Sequence, residues 1–102
     1  MTADRSSPLF QFFAGWFHQD WMYDGSPDDV LTAFLAEPHA PGELARLADE
    51  IDEIVAAHPD DAALERVLAG DLGCDYVPSG DGQSAGTWLR HIASRMRDTQ
   101  AV

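Results

Sequence analysis

The chain of 102 residues is long enough for one hydrophobic core and too short for two, because its halves could not bury enough apolar surface without metals or disulfides. A hydrophobic fraction of 45%, with three Trp, two Tyr and five Phe, excludes a disordered acidic chain. Eighteen Asp and Glu against six Arg and no Lys give a formal charge of −12, which disfavours binding to nucleic acid or an anionic membrane and selects a basic partner.

Residues 1–7 lack apolar periodicity and read as a flexible tail, after which Pro8 opens a first helix weakened near Gly15. The apolar run from Leu9 to Phe17 is not a signal-peptide core: Gln11 interrupts it, and His18-Gln19-Asp20 replaces a small-residue cleavage site. No stretch approaches the ~20 apolar residues needed to span a bilayer, and a cytoplasmic location is expected. Phe10, Phe12, Phe13, Trp16, Phe17 and Trp21 are too many aromatics for one helical stripe, so this segment is expected at the centre of the core.

Ser26-Pro27-Asp28-Asp29 is a helix start: a Ser cap, Pro at the first helical position and two acids where the helix dipole is positive. Val30, Leu31, Phe34 and Leu35 form its buried face, and the helix ends near Glu37 before Pro38. A third helix runs from about residue 41 to 58, with Leu44, Leu47, Ala48, Ile51, Ile54 and Val55 on one stripe and Asp49, Glu50 and Glu53 opposite it. Pro59-Asp60-Asp61 opens a fourth, carrying Leu64, Val67 and Leu68 and closed by Gly73 or earlier by Gly70.

Residues 74–78 are too short to found a sheet, and Ser79-Gly80-Asp81-Gly82 reads as an exposed turn. Ser84 caps the last helix, whose buried face is Trp88, Leu89, Ile92, Ala93 and Met96. Ahead of Ser84 stand seventeen acids and three Arg, and from Ser84 onward one acid and three Arg. This basic helix is expected to hold acidic neighbours by charge as well as packing. The fold class is all-α, a compact bundle of about five helices over residues 8–98, with a short tail at 99–102.

No constellation supports catalysis. His18 and Asp20 lack a third ligand or a nucleophile nearby, and read as polar tips among aromatics with Asp20 capping a turn. The serines lack the glycines of a nucleophile elbow, and Gly80-Asp81-Gly82 lacks the spaced carboxylates of a calcium loop. Cys74, the single cysteine, is better explained as a small buried hydrophobe than as a perturbed thiol, and His39, His58 and His91 as caps and surface groups. No catalytic residue, metal ligand or cofactor is expected, and the protein is expected to act by binding.

The segment Phe10-Gln11-Phe12-Phe13-Ala14-Gly15-Trp16-Phe17-His18-Gln19-Asp20-Trp21, followed by Tyr23-Asp24-Gly25-Ser26-Pro27, resembles the opening of CdiI-type immunity proteins of bacterial contact-dependent growth inhibition systems. Phe34-Leu35-Ala36-Glu37, the acidic third helix, Leu72-Gly73-Cys74-Asp75-Tyr76 and the Trp88-Leu89 helix extend the likeness over residues 9–97. The resemblance implies an all-helical cytoplasmic protein that neutralises the C-terminal toxin domain of a cognate effector by occluding its active or substrate site. Many such toxins are nucleases. Met22 and Tyr23 depart from the pattern, standing where a more acidic stretch belongs.

A nuclease site must be cationic, so acids on this chain are the natural contact residues: Asp49, Glu50 and Glu53 on the third helix, with Asp20 and Asp24 as a second patch. The plainer alternative is that the trio is the solvated face of an amphipathic helix and the acidity serves solubility. A different function class, an acidic adaptor or nucleic-acid mimic for a basic housekeeping protein, fits the charge equally well.

Overall fold

In a computed structural model of the protein, residues 7–18 and 20–100 are described, with the side chains of Asp24 and Gln100 left aside. Among the described residues there are five α-helices: α1 (Pro8–Trp16), α2 (Pro27–Leu35), α3 (Glu43–Ala57), α4 (Asp61–Arg66) and α5 (Ala85–Gln100). Among the described residues there is no strand, and the all-α class holds. The tail expected at residues 1–7 lies, apart from Ser7, outside the described residues. At the other end α5 continues to Gln100, past the boundary expected at residue 98.

The helix starts follow from local chemistry. Ser7 Oγ accepts the Phe10 N–H, with Pro8 in the first turn of α1. At α2, Ser26 Oγ accepts the Asp29 N–H while Asp29 Oδ2 accepts the Ser26 N–H, a reciprocal capping box. Gly25 delivers the chain into that box at φ 117° and ψ −147°, a conformation reserved for glycine, and a Cβ there would stand 2.5 Å from the Asp29 carboxylate. Ser84 Oγ accepts the Thr87 N–H at the start of α5. His58 donates from Nδ1 to the Ile54 carbonyl at the end of α3, and His39 from Nε2 to the Phe34 carbonyl near the end of α2. These two histidines serve as caps, as their positions suggested.

The chain after α4 differs from the expected single helix. It widens into a π-turn, Val67–Asp71, before Gly73 ends it at φ 66°. The Cys74 N–H then reaches back to the Leu68 carbonyl at 2.8 Å, so Gly73, not Gly70, is the stop. Glycine is required there by its positive φ, and a Cβ would also press on Ala14 at 3.3 Å.

One continuous core joins all five helices. Helix α3 packs mainly on α5, placing Leu44, Leu47, Ala48 and Ile51 against Leu89, Ile92, Ala93 and Met96. The aromatic segment supplies the centre through Phe12, Phe13 and Phe17, while Phe10, Trp16 and Trp21 lie half-buried at its margin. Phe13 and Phe17 approach Trp88 with ring centroids 6.0 and 5.2 Å apart. The connector contributes more than an exposed turn. Cys74, Tyr76 and Pro78 are buried and Asp75 and Val77 exposed, a strand-like alternation without a sheet, anchored by the Asp75 N–H on the Phe17 carbonyl at 2.8 Å.

Cys74 is the buried hydrophobe its context suggested. Burial pushes its thiol from the ordinary 9.0 up to about 12, and burial together with the Asp81 carboxylate pushes the Tyr76 phenol from 10.0 up to about 12. Both groups hold their protons more tightly folded than unfolded. Their contribution is therefore intact below the unfolded values and is lost as pH rises toward 12, at up to ~1.4 kcal/mol per pH unit per group. Urea midpoints measured from pH 7 to 11 are expected to start falling near pH 9, and in Cys74→Ala the fall should begin about one unit later. A wild-type midpoint that stays level to pH 11 would contradict this.

Candidate protein interface

The basic last helix does bind acidic neighbours. Arg97 reaches Asp49 at 2.8 Å and Asp52 at 2.6 Å on α3. Arg95 reaches Asp28 at 3.3 Å and Thr32 Oγ1 at 3.2 Å on α2, and His91 Nε2 meets the same Asp28 oxygen at 2.9 Å. The His91 hydrogen bond first, and then the Arg95 charge, hold Asp28 below its ordinary value of 3.8. All these pairs are substantially exposed, so each contributes at most ~1 kcal/mol to stability. Their larger consequence is for the surface field, since they neutralise some carboxylates and leave others uncompensated.

The five acids singled out from sequence fare differently. Asp49 is exposed but committed to Arg97, which arrives from α5. Glu50 is half-buried, with one carboxylate oxygen enclosed and without a hydrogen-bond partner among the described residues, so it does not share the open face expected for it. Glu53 is exposed and makes no ion pair among the described residues. Asp20 is also exposed, but its expected role as a turn cap is reversed: the His18 ring nitrogen Nδ1 accepts the Asp20 N–H at 3.0 Å, and the Asp20 side chain caps nothing. Asp24 closes the 3₁₀ turn Trp21–Asp24, and its side chain lies outside what is described. The trio on α3 is thus not a uniform acidic face.

A cleft of about 380 Å³ opens instead where the start of α2, the connector and the start of α5 meet. Asp28, Tyr76, Asp81, Gln83, Trp88 and His91 line it. Tyr76 keeps its phenolic proton and donates it to Asp81 Oδ2 at 2.8 Å, while Gln83 Nε2 donates to the Tyr76 oxygen at 3.1 Å. Two carboxylates from separate elements are therefore held in place over an aromatic floor. Trp21 stacks edge-on against Tyr76 at 5.2 Å, tying the 3₁₀ turn to the same region. That turn presents Met22 and Tyr23, 59% and 84% exposed, and Val77, 51% exposed, follows Tyr76.

Sequence reasoning passed over this cleft because its lining comes from two stretches far apart in the chain, residues 26–28 and 76–91. The available signal was the spacing of Cys74, Tyr76 and Pro78, apolar at every second position. A second cleft of similar size, between α1 and the start of α3, includes Trp16, Phe34, Glu43 and Arg46. There Glu43 is already held by His39 Nδ1 at 2.7 Å.

Among the described residues no group of His, Cys, Asp and Glu is placed to hold a metal ion, and no helix is long and apolar enough to cross a membrane.

Comparison with known proteins agrees with this architecture. The family model described as CdiI immunity protein matches residues 5–96. No curated protein gives a significant match. Among solved structures, a chain of the crystal structure of the CdiA-CT/CdiI complex from Y. kristensenii 33638 superimposes with a TM-score of 0.76 at 30% identity, over 87% of this chain and 90% of that one. An acidic five-helix domain built around an aromatic α1, matched from residue 5 to residue 96, belongs to the CdiI immunity protein family.

Proposed function

We propose that this protein binds and neutralises the C-terminal toxin domain of a cognate contact-dependent growth inhibition effector, in the cytoplasm and without catalysis of its own. The observation that carries this reading is the likeness, at 30% identity over most of both chains, to a structure of a CdiA-CT/CdiI complex. The charge of −12 supports the finer reading that the toxin surface is basic, and that the toxin is a nuclease whose active or substrate site is occluded. A cationic site evolved to hold phosphates attracts a carboxylate-rich surface by the same field. Glu53 and Asp20 contribute to that field as exposed acids, and Asp49 only after discount for its pairing with Arg97.

Co-expression supplies the test. The toxin domain encoded beside this chain should arrest growth when expressed alone, grow normally when expressed with it, and co-purify with it as a one-to-one complex. Growth arrest that persists when both are expressed would overturn the reading.

A further inference from the structure

We propose that the toxin docks on the end of the molecule formed by the 3₁₀ turn Trp21–Asp24, the start of α2 and the connector, with exposed Met22 and Tyr23 as apolar anchors and a cationic toxin side chain entering the cleft at Asp81. The inference rests on the toxin-binding reading above and specifies its surface.

Three independent features converge there. First, Met22, Tyr23 and Val77 are the large hydrophobic side chains exposed among the described residues, and all three adjoin the Trp21–Tyr76 stack. A Tyr that is 84% exposed gains nothing from folding, whereas exposed aromatic and Met side chains are the usual anchors of a protein interface.

Second, the surrounding charge is negative. Asp20, Asp28, Asp75 and Asp81 are all exposed around these anchors. Asp81 is oriented in advance by the Tyr76 hydroxyl, so a guanidinium or ammonium entering the cleft meets a fixed acceptor there, whereas Asp28 is already paired with His91 and Arg95 and adds little. The aromatic floor of Tyr76 and Trp88 adds a favourable surface for a cation.

Third, the competing surfaces are less suited to a basic partner. On α3, Arg97 neutralises Asp49 and Asp52, and none of the exposed large hydrophobics lies on that helix. The cleft between α1 and α3 has Arg46 in its lining and its Glu43 occupied by His39, so it presents less free negative charge.

The experiment measures the dissociation constant of the purified chain for the toxin domain encoded beside it, by titration calorimetry. Four proteins are compared: wild type, Met22→Ser with Tyr23→Ser, Asp81→Asn, and a control with Asp98→Asn, an exposed acid near the opposite end of α5 from the cleft. Because the altered side chains are exposed, each variant should retain its far-UV spectrum, and urea midpoints measured in parallel show that the protein stays folded when Asp81→Asn weakens the hydrogen bond from Tyr76. The expected result is a loss of tenfold or more in affinity for both the Met22/Tyr23 and the Asp81 variants, and a change under threefold for the control. A loss below tenfold in either end-face variant, with wild type binding normally, overturns the docking surface and leaves the function standing. A wild type that fails to bind the toxin domain overturns both.

Discussion

Phe17→Ala is expected to lower folding stability by about 3–5 kcal/mol, the range for truncating a fully enclosed aromatic side chain. Phe17 follows the end of α1 with no exposed surface, and its ring meets Phe12, Phe13, Tyr76 and Trp88 at centroid separations of 5.7, 6.2, 6.3 and 5.2 Å. It joins α1, the connector and α5, so the cavity left by its loss would open at their junction and could not close by adjustment of one neighbour. Domains of this size are stable by only ~5–15 kcal/mol, so the variant retains a small margin. With a urea dependence of ~1–3 kcal/mol per molar, the midpoint should fall by roughly 2 M, followed by tryptophan fluorescence. A fall equivalent to under ~1 kcal/mol would mean that Phe17 is not the keystone its contacts suggest. Phe10→Ala, truncating a half-buried side chain, serves as the comparison and should cost clearly less.

The contrast between Phe17 and Tyr76 shows what could be read from sequence alone. Helix starts at Ser26 and Ser84, the stripe on α3 and the stop at Gly73 were legible because each is decided within one or two turns of chain. The aromatic segment was legible as core, although which of its rings lie at the margin depends on helices that arrive later. Tyr76 was not legible, since the extended segment around it pairs with no sheet and its alternation spans five residues. The surroundings of the α3 acids were not legible for a related reason. A helical wheel places Asp49 in solvent, but only the packing of α5 brings Arg97, forty-eight positions away, onto it. Likewise the wheel gives Glu50 an outward direction without showing that a neighbouring surface half-covers it. Local rules decided the fold here, and long-range pairing decided which charges remain available to a partner.

That remaining charge leads to an expectation about rates. Association with the toxin domain should be fast at low salt and should slow by about a hundredfold between 10 mM and 1 M NaCl, with a much smaller change in the dissociation rate. Steering between opposite fields raises association from roughly 10⁵–10⁶ M⁻¹s⁻¹ to as much as ~10⁸–10⁹ M⁻¹s⁻¹. The effect fades as the screening length contracts from ~30 Å at 0.01 M to ~3 Å at 1 M. A net charge of −12 on so small a domain supplies the field, and Arg95 and Arg97 subtract from it only locally, at Asp28 and at Asp49 with Asp52. Dissociation is governed by short-range contacts, and on the proposed surface these are the apolar anchors Met22 and Tyr23, which salt does not weaken, and the enclosed cation at Asp81, which salt screens far less than exposed charges. Stopped-flow measurements at several salt concentrations separate the two rates. An association rate that varies less than threefold over this range would sever the acidity from recognition and return it to solubility alone, while leaving the apolar docking surface to be judged by its own variants.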